Sequence, residues 1–162
     1  MVDLHGQYQR IRPEIDQAIQ RVLDSAVFVK GSEVKEFENE LAHYLGIKHV
    51  IACGNGTDAL QICLMALGLQ PGDEVITPNF TFISTVEVSA LLGLKPVLVD
   101  VEPGTFNIDT RSLEKAITPR TKVIIPVHLF GQCANMDEIM RIAREYGITV
   151  IEDVAQALSA DY

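Results

Sequence analysis

Apolar and polar positions change rhythm once along this chain, near residue 47. Before that point apolar residues recur every three or four positions. Ile15, Ala18, Ile19, Val22 and Ala26 mark one amphipathic helix, with Pro13 suited to its start. Val34, Phe37, Leu41, Tyr44 and Leu45 mark a second, which begins with Ser32 as N-cap and stops at Gly46. After that point the apolar residues gather into five short β-rich runs: "KHVIAC", "DEVITP", "KPVLVD", "KVIIPV" and "ITVIED". The spacing predicts strands in these runs and helices between them, over 57–68, 82–93, 111–117 and 136–147. The last helix is the clearest. Asn135 and Glu138 have capping-box spacing, Met136, Ile139, Met140, Ala143 and Tyr146 form an apolar stripe, and Gly147 ends it.

Strands that alternate with helices imply right-handed βαβ units, and continuous apolar runs imply burial on both faces of a parallel sheet. The expected fold is therefore α/β, a three-layer α/β/α arrangement with a mostly parallel sheet. N-terminal helices occupy 1–46 and the βαβ region 47–162. Open α/β sheets bind ligands at the carboxyl ends of their strands. Residues 54–58, 79–82, Asp100, His128 and Asp153 follow the runs directly, so polar and glycine residues line that edge.

Composition narrows the function. With 162 residues, 48% hydrophobic and 22% charged, the chain is about one soluble globular domain. Its net charge of -9, with no Lys/Arg run, argues against binding nucleic acid through the phosphate backbone. Cys53, Cys63 and Cys133 are too far apart for a disulfide framework or a zinc site, and are read as buried free thiols in a reducing compartment. The N-terminus has no apolar signal core, and no run approaches the ~20 apolar residues of a membrane span. A cytoplasmic protein without membrane contact is expected.

Three stretches carry candidate chemistry. "GNGTDA" (54–59) satisfies the dinucleotide pattern G-x-G-x-x-[GA]. The acid that would hold a ribose is missing, because Glu74 has the right distance but opens its strand at the wrong end of the sheet. Asp58 and Ala59 stand where a Walker loop needs Gly-Lys. What remains is a strand, a turn and a helix N-terminus whose N–H groups suit one phosphate monoester, or an ordinary turn capped by Asn55 or Thr57. In "VIEDVAQ" (150–156) two adjacent acids point to opposite sides. Asp153 can bind Mg²⁺, act as a base, neutralise a cationic ring or cap a helix. In "TPNFTF" (77–82) Phe82 can stack on a planar ligand or plug the core. His128, Cys53, Asn79 and Asp100 have structural readings as their default.

Taken in order and spacing, "FVKGSEVKEFE", "GNGTDAL", "PGDEVITPNFTF", "KPVLVDVEPGTFNID", "AITPRTKVIIPVHLFGQ" and "VIEDVAQ" resemble the DegT/DnrJ/EryC/StrS-type sugar aminotransferases, from about Asp3 to Tyr162. The resemblance implies the aspartate-aminotransferase fold and pyridoxal 5'-phosphate as cofactor. By matching positions it implies that Gly56, Thr57 and Asp58 bind the phosphate and that Phe82 stacks on the pyridine ring. Asp153 would pair with the ring nitrogen, and Gln156 would pack near the phenolic oxygen. Asp153 and Gln156 are the expected catalytic residues. The substrates implied are a nucleotide-linked keto sugar, aminated at C3, and an amino-acid donor, glutamate. A homodimer is implied as well.

The family's cofactor-binding lysine lies beyond the Asp-x-x-Gln motif. None of Lys30, Lys35, Lys48, Lys95, Lys115 and Lys122 occupies a matching position. These residues are accordingly expected to be the N-terminal part of the large domain, lacking the lysine and the C-terminal small domain and inactive alone. Two other readings compete: a nicotinamide-dependent Rossmann enzyme and a regulatory or interaction module on the same scaffold.

Overall fold

The structure, a computed structural model, describes residues 2–162. It divides into two compact units, one ending at Ala52 and one running from Cys53 to Tyr162.

The first unit holds α1 (Leu4–Ser25) and α2 (Ser32–Leu45). Asp3 caps α1 by accepting a hydrogen bond from the Gly6 N–H at 2.8 Å. The helix therefore starts nine residues before Pro13. The expected start at the proline is wrong. Pro13 sits inside the helix and only removes the bond to the Gln9 carbonyl. In α2, Gly31 takes the cap position and Ser32 the first helical one, while Gly46 closes the helix in the left-handed region at φ 65°.

The run at 48–53 is not a strand. Among the described residues no strand pairs with it, Ile51 is 83% exposed, and the Ala52 N–H is satisfied by Glu38 Oε1 at 2.8 Å. β propensity needs a partner ladder to become a strand.

The second unit is the α/β body. Its elements are α3 (Gly56–Ala66), β1 (Glu74–Pro78), α4 (Ser84–Leu91), β2 (Lys95–Val99), α5 (Thr110–Ala116), β3 (Thr121–Ile124), α6 (Met136–Tyr146) and β4 (Thr149–Val150). The four strands are all parallel in the order β2-β1-β3-β4. Alternation along the strands divides the core. Val75 and Val123 point to one side with Leu60 and Leu64 of α3 and Val88 of α4. Ile76 and Ile124 point to the other with Leu113 of α5 and Ile139, Ile142 and Ala143 of α6. The result is the expected three-layer arrangement. In α6 Ile142 joins the buried face, whereas Met140 and Tyr146 of the expected stripe are exposed. All three cysteines are free as expected, but none is buried: Cys53 and Cys63 are exposed and Cys133 is half-buried.

The chain leaves β1 toward β2 on one side and returns through α5 to β3 on the other. The strand order thus reverses between β1 and β3, which opens a crevice at their carboxyl ends.

Candidate functional site

The helix N-terminus comes first, because local chemistry builds it. Asn55 precedes α3 in extended backbone, and its Oδ1 accepts from the Asp58 N–H at 2.9 Å. The Ala59 N–H bonds to the Asn55 carbonyl at 3.1 Å. That leaves the Gly56 and Thr57 N–H groups without an acceptor among the described residues. A Cβ placed on Gly56 would meet no atom within 4 Å outside its chain neighbours and its own helix backbone, so there is room beside this helix start.

That space is a cleft of about 300 Å³. Gly56, Thr57 and Leu60 line it from α3, Phe82 and Ser84 from the segment entering α4, and Asp153, Ala155 and Gln156 from the segment after β4. Five of the six residues singled out in the sequence meet here: Gly56, Thr57, Phe82, Asp153 and Gln156. Asp58 does not. Its carboxylate turns back onto the cap, where Oδ2 accepts from Asn55 Nδ2 at 3.1 Å. None of the six lysines lines the cleft.

Phe82 is 70% exposed and lies ahead of α4, outside the helix expected to begin with it. It plugs no core and presents a free ring. The two acids of "VIEDVAQ" diverge as expected. Asp153 is held by its backbone in a parallel bridge to Val127, and its Oδ1 accepts from the Ala155 N–H at 3.1 Å. Glu152 goes the other way, its Oε2 lying 2.8 Å from His128 Nε2.

His128 is buried and structural. Its Nδ1 accepts from the Ala134 N–H at 3.0 Å, so the ring proton sits on Nε2 and is donated to Glu152. The His128 N–H donates to the Asp153 carbonyl at 3.0 Å, which ties the segment after β3 to the backbone of the site acid. Asn79 and Asp100 bond to each other, Nδ2 to Oδ1 at 3.3 Å, away from the cleft. Sequence reasoning passed over Asn107, which is buried and holds the turn after His128. No local pattern marks it, since its partners lie more than 20 residues away.

At the opposite edge of the sheet Glu74 is buried with its strand start. It accepts from Thr118 Oγ1, Lys95 Nζ at 3.0 Å and Arg120 NH2 at 3.2 Å. It cannot serve a ligand in the cleft, as its place in the sequence implied. These bonds, led by that of Thr118, hold its carboxyl down to about 2 against the opposing effect of burial.

Residues 9–162 match the DegT/DnrJ/EryC1/StrS aminotransferase family. The chain belongs to that family. Over 99% of its length it is 58% identical to a Pseudomonas aeruginosa protein named UDP-2-acetamido-2-deoxy-3-oxo-D-glucuronate aminotransferase, and it spans 45% of that relative. A DegT DnrJ EryC1 StrS aminotransferase from Brucella abortus superposes with a TM-score of 0.93 at 46% identity, over 96% of this chain and 44% of that one. NtdA from Bacillus subtilis, solved with bound cofactor PMP, superposes with a TM-score of 0.87 at 44% identity, over 90% and 33%. The chain thus spans less than half the length of these family members. Among the described residues no helix is long and apolar enough to cross a membrane.

Proposed function

We propose that this chain is the N-terminal portion of a pyridoxal-phosphate-dependent aminotransferase that aminates a nucleotide-linked keto sugar at C3, with glutamate as donor. One observation carries the reading: two free helix N–H groups, an exposed aromatic ring, a carboxylate and an amide converge on one cleft. Those groups fit the cofactor. The Gly56 and Thr57 N–H groups and the positive end of α3 suit its phosphate, and the open space at Gly56 lets that phosphate approach. Asp58 serves this site through the cap, not through its carboxylate, which would repel the phosphate.

When bound, the cofactor supplies a cationic ring that takes up the electron pair left when the substrate loses its proton. Asp153 keeps the ring nitrogen protonated, and its anchoring to Val127 and Ala155 holds the carboxylate in position. Phe82 covers one ring face and excludes water. Gln156 directs a hydrogen bond at the ring's oxygen. On this reading the base that moves the substrate proton is a lysine outside these 162 residues. We further propose a cytoplasmic homodimer, with the region here forming the first part of the large domain. The name of the P. aeruginosa relative, which specifies a 3-oxo sugar, supports the position of amination.

The test uses the full-length protein with pyridoxal phosphate, glutamate and a nucleotide-linked 3-keto sugar. It should bind the cofactor with a visible absorption band and yield the 3-amino sugar. Asp153→Asn should keep the cofactor yet lose roughly a hundredfold or more in kcat. No visible band, or amination at C4, would overturn the corresponding part of the reading.

A further inference from the structure

Asn107 lies between β2 and α5, is buried, and lines no part of the cleft. All its side-chain bonds go to the backbone of one turn. Oδ1 accepts from the Leu129 N–H at 3.0 Å, and Nδ2 donates to the Gln132 carbonyl at 3.1 Å and the Cys133 carbonyl at 3.2 Å. Within that turn Phe130 and Gly131 both have positive φ, 57° and 83°. A bulky residue such as phenylalanine adopts that region only where its surroundings over-determine it. Asn107 supplies that determination, bonding the turn on both sides of the strained residue.

The turn in turn acts on the cleft. The Phe130 N–H donates to Gln156 Oε1 at 2.8 Å. A backbone N–H can only donate, so it selects the oxygen end of the Gln156 amide. The NH₂ end is left for the cleft that Gln156 lines. Without that bond the amide can rotate and present an acceptor instead.

We propose that Asn107 is a positioning residue: by fixing the Leu129–Cys133 turn it sets the Gln156 amide so that a hydrogen-bond donor faces the cleft. For the identity of what that donor meets, a ring oxygen of pyridoxal phosphate, the inference rests on the functional reading above. A donor at that oxygen favours its anionic form, so losing the donor raises the pH at which the bound cofactor changes its visible absorption.

The experiment uses the full-length enzyme with two readouts: hydrogen exchange at the Phe130 amide, and the pH midpoint of the absorption change with pyridoxal phosphate bound. Asn107→Ala should speed exchange at Phe130 about tenfold or more and raise the midpoint by about one unit, the size expected for a lost bond to a charged oxygen. Gln156→Leu should raise the midpoint similarly, and the double variant should add nothing further. A folded Asn107→Ala enzyme with wild-type exchange at Phe130 and a wild-type midpoint would overturn the proposal. If that variant does not fold, Asn107→Asp carries the same readouts. It keeps an acceptor for Leu129 and loses the donors to Gln132 and Cys133. Failure of the wild-type enzyme to take up pyridoxal phosphate would count against the functional reading alone, because exchange at Phe130 still decides whether Asn107 controls the turn.

Discussion

Gly56 separates binding from folding at a single position. Its φ lies outside the left-handed region, and a methyl group there meets no atom within 4 Å beyond its chain neighbours and its own helix backbone. Alanine is also the better helix former. Gly56→Ala should therefore leave thermal stability unchanged or raise it by roughly 0.4–1 kcal/mol. A phosphate that approaches the helix N-terminus closely would also meet that methyl group, so affinity for pyridoxal phosphate should fall about tenfold, the equivalent of one hydrogen bond. Calorimetry on the full-length protein and cofactor titration check the two halves independently. Gly54 behaves differently, since a Cβ there would come within 2.7 Å of Asp58 Oδ2 and disturb the cap.

At the scale of elements, the site depends on how α3 begins. Asn55 satisfies the Asp58 N–H and also donates to the Asp58 carboxylate. One residue thereby caps the helix and turns a negative charge away from the cleft. Asn55→Ala should cost about 1 kcal/mol of stability in urea unfolding. It should also weaken cofactor binding, because the released carboxylate is free to move toward the phosphate. Cofactor affinity unchanged in Asn55→Ala would show that Asp58 needs no restraint. The cap of α6 uses the same chemistry only in part. Asn135 accepts from the Glu138 N–H at 3.3 Å, but Glu138 turns to Arg141 at 2.8 Å instead of closing the box. Spacing marks the cap, while the fate of the third side chain depends on which cation is near.

For the molecule as a whole, acid stability should be governed in large part by Glu74, which ties β1 to Lys95, Thr118 and Arg120. Its folded pKa, about 2, lies below the ordinary value of 4.5. The stabilisation it provides is therefore complete above pH 4.5 and is lost as the pH falls from 4.5 toward 2. With both cationic partners largely exposed, about 2–3 kcal/mol is at stake. Glu74→Gln should flatten the dependence of unfolding free energy on pH in that window and lower stability at neutral pH. An unchanged slope would assign acid sensitivity to other carboxylates.

Much of this protein was determined by the sequence alone, wherever the deciding interaction was local. Helical periodicity, the glycine stops at Gly46 and Gly147, the Asn55 and Asn135 caps and the apolar strand runs act within a few residues, so order and spacing reveal them. Phe82, Asp153 and Gln156 are legible too, because parallel strands bring the segments after β1 and β4 to one edge, whereas Gly56 and Thr57 follow a run that forms no strand. Tertiary structure decided the rest. The run at 48–53 has strand composition but no ladder, and only long-range pairing makes a strand. Pro13 is a local exception: its own geometry allows a helix start, yet the equally local cap at Asp3 begins the helix earlier. The pairing of His128 with Glu152 and the grip of Asn107 on the turn at 129–133 are set by which donor meets which acceptor in space. His128 and Glu152, like Asn107 and its turn, lie 22 to 26 residues apart, and no local pattern encodes a hydrogen bond at that separation.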